Sequence, residues 1–268
     1  MPQALGQASA DQLTHDLWVG LGVAVAAGYF WWEKRRRVVT DERLWVVVGC
    51  ALAFGAVFAR FGTWAQHLDL RQNAGLAEQF LYGNRSILGG LLGAYAGVLV
   101  GKRITGYRER TGALFAPAVA LGMAVGRVGC LLSERPGTPT SLPWGVVLPP
   151  ARAARLGAPA GVPLHPSFAY EIAFHLVAFA LLVRYRDRLA EPADLFTGWL
   201  LAYGVFRFLV EFVRGSEVVW AGLTRPQLFL AAIVPLLAWR AGVVLRRSRS
   251  RARLPAAEPR PSLEGGSL

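Results

Sequence analysis

Four polar side chains recur at helical spacing within one apolar segment of the sequence. Tyr203, Arg207, Glu211 and Arg214 lie at positions i, i+4, i+8 and i+11, so a helix places them on one face. A charged side chain at the centre of a bilayer costs at least about 2.5 kcal/mol on insertion scales. Several such groups predict an internal aqueous or ligand-filled cavity. The alternative is a structural Arg207–Glu211 pair that only fastens helices together.

A second stretch places an arginine where an apolar run ends. Arg127 follows the apolar residues 111–126 and precedes a segment rich in glycine, proline and threonine. Arginine forms forked hydrogen bonds that suit phosphate. Arg127 and Arg207 belong to different helices that both reach the outer leaflet, so together they predict a phospholipid headgroup site. Snorkelling of Arg127 at the interface is the alternative interpretation.

Two further stretches carry polar or glycine residues at helix starts. His165 precedes a proline, and it is either a cap or surface residue or a base. Glu171 is an ionisable group inside an otherwise apolar helix, and His175, one turn later, either pairs with it or faces lipid. The pair Gly89-Gly90, near the start of another helix, predicts a close helix crossing.

The amino-acid composition indicates whether these segments lie in water or in lipid. Apolar residues make up 54% of the 268 residues, charged residues only 17%, and the mean hydropathy is +0.36. Soluble domains carry about 25% charged residues, so the chain is predicted to lie in a membrane. The net charge of +12 is spread between apolar runs rather than gathered on a soluble module, which argues against a nucleic-acid partner.

The apolar runs predict an all-α membrane protein with seven transmembrane helices in one domain, residues 1–245. The N-terminus is predicted outside and the C-terminus in the cytoplasm, because 19 of the 29 Lys and Arg then face the cytoplasm. We expect an external loop or cap between helices 4 and 5, and a disordered basic cytoplasmic tail over 246–268. The predicted helices cover 17–33, 44–66, 86–101, 111–127, 166–184, 195–213 and 225–245.

These stretches, in this order and on this topology, resemble the bacterial prolipoprotein diacylglyceryl transferase family from about Leu17 to Leu230. The most specific block runs from Gly126 to Trp144, where the family pattern is Gly-Arg-x-Gly-Asn, then Asn-Gly-Glu, Gly, Thr and Pro-Trp-Gly. The His-Pro-Ser before Tyr-Glu at 165–171 and the pattern Tyr-Gly-x-x-Arg-x-x-x-Glu-x-x-Arg at 203–214 are also distinctive.

The resemblance implies a seven-helix fold in the bacterial plasma (inner) membrane with its active site towards the outside. The family transfers a diacylglyceryl group from phosphatidylglycerol to the lipobox cysteine of a preprolipoprotein, with release of glycerol phosphate. The implied partners are phosphatidylglycerol, membrane lipid and the lipobox peptide. Neither a cofactor nor a metal is expected.

The resemblance also assigns roles to individual residues. Arg127 and Arg207 are implied to bind the headgroup phosphate and to neutralise charge on the leaving group. Glu134 and Glu211 are expected to orient these two arginines. Supporting polar roles fall to Glu134, Gly137, Tyr203, Glu211 and Arg214.

The sequence departs from the family pattern where the chemistry needs a base. The family has a histidine immediately before Gly-Gly, thought to help deprotonate the substrate thiol, and here that residue is Leu88. Val19 stands for a tyrosine and Cys130 for an asparagine. A thiol with a pKa of about 8.5 is only a few per cent ionised at neutral pH, and general-base help is worth about 10² to 10⁴-fold. His165 or Glu134 is the expected replacement.

Three functions are compatible with these residues. The first is a divergent diacylglyceryl transferase, and the second is a catalytically impaired relative that binds phospholipid or lipoprotein precursor. The third is a small transporter that uses Arg207–Glu211 as a coupling pair. No internal repeat supports the transporter, and it leaves Arg127 unexplained, so the enzyme is the preferred hypothesis.

Overall fold

The computed structural model describes residues 2–66, 86–187 and 194–252, and their regular structure is almost entirely helical. One helix is short, namely α5 (Pro150–Arg155). Two antiparallel strand pairs accompany the helices: β1 (Val146–Val147) pairs with β2 (Pro163–Leu164), and β3 (Val218–Trp220) pairs with β4 (Leu223–Thr224). The long helices are α1 (Pro2–Arg36), α2 (Arg43–Gln66), α3 (Ile87–Thr105), α4 (Gly112–Ser133), α6 (Ser167–Tyr185), α7 (Asp194–Arg214) and α8 (Arg225–Ala252).

Six helices in the described part of the chain are long and apolar enough to cross a membrane, namely α2, α3, α4, α6, α7 and α8. The prediction of an all-α, multi-pass membrane protein is therefore confirmed. Helix α1 is not among the six, although it has 35 residues. Its charge-free run, residues 17–32, is bounded by Asp16 and Glu33, so its apolar stretch is shorter than the helix itself.

Four helices extend at least four residues beyond their predicted bounds, among them α3, which ends at Thr105 rather than at 101. Helix α1 begins at Pro2 rather than at residue 17, and α8 continues to Ala252, seven residues into the predicted tail. The rest of that tail, 253–268, lies outside the described residues. Helix α4 ends at Ser133 rather than at 127, because the residues after Arg127 are mostly apolar and no proline occurs before Pro136. Arg127 therefore lies inside α4 and not at its end.

Glycines let the helices approach closely. A Cβ atom added to Gly89 would collide with the carbonyl oxygen of Phe58, so α2 and α3 pack backbone to backbone, and the predicted Gly89-Gly90 crossing is confirmed. The same holds between α1 and α4, where a Cβ on Gly22 would lie 2.5 Å from the carbonyl oxygen of Gly122. Helix α4 also packs against α6 and α7, so it is the central element of the fold.

The segment between α4 and α6, residues 134–166, is ordered around a small hydrophobic core. Leu148, Ala153 and Leu164 are buried in it. Trp144, Val146 and Val147 contribute little to this core, because their side chains are exposed. The segment is anchored by its backbone instead: the Gly137 amide donates to the carbonyl oxygen of His165 (2.7 Å) and the Thr138 amide to that of Val213 (2.8 Å).

Candidate active site

The polar face of α7 points into the protein, as its spacing predicts. Tyr203, Arg207 and Glu211 are buried, while Leu209 and Phe212 on the other side of the helix are exposed. An apolar outer face with a charged inner face is the arrangement expected of a helix that meets lipid on one side. The prediction that these polar groups share one inward face is confirmed.

A buried carboxylate on α6 joins this face to α4. Glu171 Oε2 lies 2.5 Å from Arg127 Nη2, and Glu171 Oε1 lies 2.5 Å from Arg214 Nη1. The hydroxyl of Tyr203 accepts a hydrogen bond from Arg127 Nη2 (3.2 Å) and donates one to Glu171 Oε2 (3.4 Å). Each carboxylate oxygen of Glu171 therefore pairs with a different arginine. Through these contacts the Glu171 side chain connects α4, α6 and α7.

A second ion pair lies further along α7. Arg207 donates to Glu211, and the other oxygen of Glu211 accepts from Thr224 Oγ1 at 3.2 Å. Gln227 fixes this turn, because its Oε1 accepts from the Thr224 amide (2.9 Å) and its Nε2 donates to the carbonyl oxygen of Phe208 (3.2 Å). The start of α8 thus holds Glu211 in place.

The two ion pairs belong to one electrostatic cluster that is rich in arginine. Glu171 interacts electrostatically with Arg207 as well as with Arg127 and Arg214. Among the described residues, Glu171 and Glu211 are the buried acidic partners of these three arginines, and the 42% exposed Glu134 lies 3.7 Å from Arg214. Arg127 Nε is also buried without a hydrogen-bond partner among the described residues. A buried donor without a partner favours an acceptor, and a phosphate oxygen suits a donor that belongs to an arginine.

Glu134 lies next to Arg214 and His15. Glu134 and Glu211 were expected to orient the two arginines; in the structure Arg207 pairs with Glu211, and Arg127 pairs with Glu171. Glu134 is the C-cap of α4, and its side chain is 42% exposed. It lies 3.7 Å from Arg214 at the edge of the cluster.

His165 and Gly137 lie together in the segment between α4 and α6. His165 Nδ1 is 3.1 Å from the hydroxyl of Tyr170, which also accepts from Trp144 Nε1 at 2.9 Å. Gly137 packs between His165 and Val213, where a Cβ atom would collide with backbone. The glycine is therefore required for close packing beneath the histidine.

Several polar residues of the site could not be assigned from the sequence. Glu171 was recognisable as an ionisable group in an apolar helix, but its partner Arg127 is 44 residues away and no spacing rule connects them. His175 is fully buried, and neither ring nitrogen has a hydrogen-bond partner among the described residues. Its ring lies 4.7 Å from that of Tyr203, so it pairs with aromatic neighbours and not with lipid.

The surroundings of Leu88 are apolar. Leu88 is buried in a cluster that includes Leu91, Leu200, Tyr203 and Leu230. A leucine in these surroundings supplies packing and cannot accept a proton. Any base for the chemistry must come from elsewhere.

Comparisons with known proteins identify the family. The model of the family described as prolipoprotein diacylglyceryl transferase matches residues 14–244. A phosphatidylglycerol–prolipoprotein diacylglyceryl transferase of Azotobacter vinelandii is 29% identical over 260 residues, which cover 88% of this chain and 92% of the relative. Proteins of the same name from Pseudomonas fluorescens (29% over 236 residues; 81% and 85%) and Methylococcus capsulatus (29% over 243 residues; 85% and 88%) are also similar. The chain therefore belongs to the prolipoprotein diacylglyceryl transferase family.

Proposed function

We propose that this chain transfers a diacylglyceryl group from phosphatidylglycerol to the lipobox cysteine thiol of a preprolipoprotein, at the outer face of the bacterial plasma membrane. Membership of the family and the shared name of its relatives support this function. The observation that carries it is the cluster of Arg127, Arg207 and Arg214, in which the described residues supply Glu171 and Glu211 as buried counter-charges. Such a cluster suits a lipid phosphate inside a membrane protein.

The reaction requires a negative charge to be stabilised as it leaves. The thiolate sulfur attacks the terminal glycerol carbon of the diacylglyceryl group, a carbon–sulfur bond forms, and the carbon–oxygen bond to phosphate breaks. The electron pair departs with glycerol phosphate. Arg127, through the Nε that has no partner among the described residues, and Arg207 hold the phosphate oxygens on which this charge develops. No covalent intermediate with the protein is needed.

The surrounding residues position the two arginines. Glu171 and Tyr203 hold Arg127, and Glu211, itself held by Thr224, holds Arg207. Arg214 bridges Glu171 to Glu134 at the edge of the cluster. Gly137 allows the backbone of the overlying segment to approach this edge. Glu134 and His165 are the two candidates for a side-chain base, since both lie at the exposed border rather than in the buried cluster.

The proposed topology has seven crossings, with α1 as the first, the N-terminus outside and the C-terminus in the cytoplasm. Arg36 and Arg37 at the end of α1 bind Asp187 after α6, at 3.1 and 2.5 Å, so these two helix ends share one side. Lys and Arg are concentrated on that side, which is therefore assigned to the cytoplasm. The segment 134–166 then forms an external cap over the site.

The function is tested with purified protein, phosphatidylglycerol vesicles and a lipobox peptide, measuring diacylglyceryl-peptide by mass and glycerol phosphate by enzymatic assay. We expect both products from the unchanged chain. Arg207→Ala should lower the rate by at least about 10²-fold, as expected when a charge-stabilising donor is lost. Arg225→Ala is the matched control, because Arg225 pairs with Glu217 at the surface. Absence of product, while the Azotobacter vinelandii relative is active in parallel, would refute the proposal and favour a lipid-binding role.

A further inference from the structure

Three side chains of types that bind transition metals meet beside the arginine cluster. His15 lies on α1, Cys130 lies on α4, and Glu134 caps α4. One donor atom from each lies within 4.8 Å of the other two. His15 Nε2 and Glu134 Oε1 are 3.8 Å apart. The sequence gives no sign of this cluster, since His15 is more than a hundred residues from the other two.

The spacing of the three donors is close to that of a tetrahedral zinc site. Zinc bonds of about 2.0–2.3 Å to N, O and S place neighbouring donors about 3.3–3.8 Å apart. The His15–Glu134 distance already falls at the upper end of that range. Cys130 and Glu134 are four residues apart, so successive turns bring their side chains to the same side of α4. Small rotations of side chains, without movement of the helices, would close the site.

The backbone around the cluster holds the histidine in place. Gly129 lies against α1, where an added Cβ would be 3.1 Å from the carbonyl oxygen of His15 and 2.8 Å from the Cβ of Trp18. This contact fixes His15 next to the turn that carries Cys130. His15 Nδ1 is 3.3 Å from Asp16 Oδ1, so in the tautomer that donates this bond Nε2 faces Glu134 with a free lone pair. Histidine ligands to zinc commonly have such a carboxylate behind them.

We infer that His15, Cys130 and Glu134 bind one Zn²⁺ ion and leave its fourth position open. Three protein ligands with one open position are the pattern of catalytic rather than structural zinc. The Cys130 thiolate and the Glu134 carboxylate together neutralise the charge of the ion. Glu134 is 42% exposed, so the open position is reachable from solvent.

The open position would accept the substrate thiol, an assignment that rests on the proposed function and makes Glu134 a metal ligand rather than a base. The sulfur–hydrogen bond breaks, a zinc–sulfur bond forms, and the proton passes to water at the exposed edge. A thiol on zinc is deprotonated outright, which supplies the thiolate in a chain that has Leu88 where its family has a histidine. Arg127 Nη1 is 3.8 Å from Cys130 Sγ, so the metal site adjoins the arginine assigned to the phosphate.

Metal binding is tested apart from activity. The purified full-length chain is stripped with a chelator and titrated with Co²⁺, and the thiolate-to-cobalt charge-transfer band is recorded. We expect one equivalent to bind with that band, and Zn²⁺ to displace it. Cys130→Ser should abolish the band, and His15→Ala, on a different helix, should weaken the affinity by at least tenfold. Cys50→Ser is the control that should leave both unchanged. No band in the folded, unchanged chain, or an equal band in Cys130→Ser, would overturn the site.

Activity then separates the metal site from the transfer reaction. We expect the chelated protein to lose at least tenfold in rate and Zn²⁺ to restore it. If turnover is unchanged after chelation, the proposed transferase function stands and activation of the thiol by zinc is refuted. If the chain binds cobalt but forms no diacylglyceryl-peptide, the proposed metal site stands and the proposed function is refuted.

Discussion

At the scale of single residues, the site depends on how one carboxylate divides its hydrogen bonds. Glu171 Oε2 pairs with Arg127, Glu171 Oε1 pairs with Arg214, and the side chain is fully buried. Removing its charge leaves Arg127 without a counter-ion among the described residues and leaves Arg214 with the partly exposed Glu134 alone. Removal of one partner from a buried ion pair costs about 3–5 kcal/mol, which is a large part of the stability of a typical domain.

Glu171→Gln keeps the shape of the side chain and removes its charge. We expect a clear loss of thermal stability in detergent and a fall in transfer rate of at least about 10²-fold, since Arg127 loses the partner that positions it. Glu217→Gln is the matched control: Glu217 pairs with Arg225 at 3.0 Å but is 76% exposed, so its loss should cost less than about 1 kcal/mol. Equal melting temperatures for the two variants would contradict this account of Glu171.

Leu88→His restores the residue of the family pattern but not its surroundings. The new imidazole would be buried among leucines, with Tyr203 as its polar neighbour in that cluster. A buried polar group without full hydrogen bonding costs about 1–3 kcal/mol, so we expect lower stability and less than a tenfold gain in rate. Leu142→His, in the exposed loop, serves as the control. A gain of a hundredfold or more would show that position 88 still faces the thiol.

Some of these residues were predictable, and the reason is local spacing. Arg207 and Glu211 are four residues apart, so a single helical turn determines their contact. Arg127 and Glu171 belong to different helices, and only the packing of α4 against α6 brings them together. That Arg127 has Glu171 as its partner could not be read from the sequence, because no spacing rule connects residues on two different helices. The apolar environment of Leu88 was likewise invisible without the fold.

At the scale of elements, the glycines of α3 set its distance from α2. Gly89, Gly93 and Gly97 recur every four residues and face the backbone of α2. Small residues at this spacing let two helices pack without intervening side chains. The Gly-Gly motif predicted this crossing. The ends of α1, α4 and α8 were not predictable from hydropathy, because helical hydrogen bonding continues past the charges that end an apolar run.

Gly97→Ala should separate α2 from α3. An added Cβ would collide with the carbonyl oxygen of Cys50, which is backbone and cannot rotate away. Overpacking of this kind costs about 1–3 kcal/mol, so we expect a lower melting temperature. Gly49→Ala is the matched control within the same helix pair: it has no neighbour within 4 Å, and alanine should stabilise the helix by about 1 kcal/mol. A Gly97→Ala variant as stable as Gly49→Ala would contradict the close contact.

At the scale of the whole molecule, charged side chains are buried near both ends of the bundle. At one end, the fully buried Glu33 binds Arg37 (2.5 Å) and Arg186 (2.8 Å), which joins α1 to α6. Towards the other end, Glu171 joins α4, α6 and α7. Because α1 takes part in the first cluster and, through His15, lies beside the second, it runs the length of the bundle. This supports its assignment as a membrane-crossing helix.

The topology is tested with a membrane-impermeant maleimide on intact and permeabilised spheroplasts. We expect Ala160→Cys, in the segment between α4 and α6, to react in intact cells. Thr40→Cys, between α1 and α2, should react only after permeabilisation, and an N-terminal epitope tag should be accessible from outside. The unchanged chain is the control that measures how much maleimide reacts with the native cysteines Cys50 and Cys130. A tag on the same side as Thr40 would show that α1 does not cross the membrane.

The ion pair between Arg127 and Glu171 also has a consequence for biogenesis. Synthesis from the N-terminus delivers α4, with Arg127 in its interior, before α6 has been made. During that interval the arginine has no carboxylate, and its insertion costs at least about 2.5 kcal/mol. The nascent α4 should therefore remain beside the insertion machinery until Glu171 arrives. Chains truncated before α6 should leave α4 poorly integrated and open to membrane proteases.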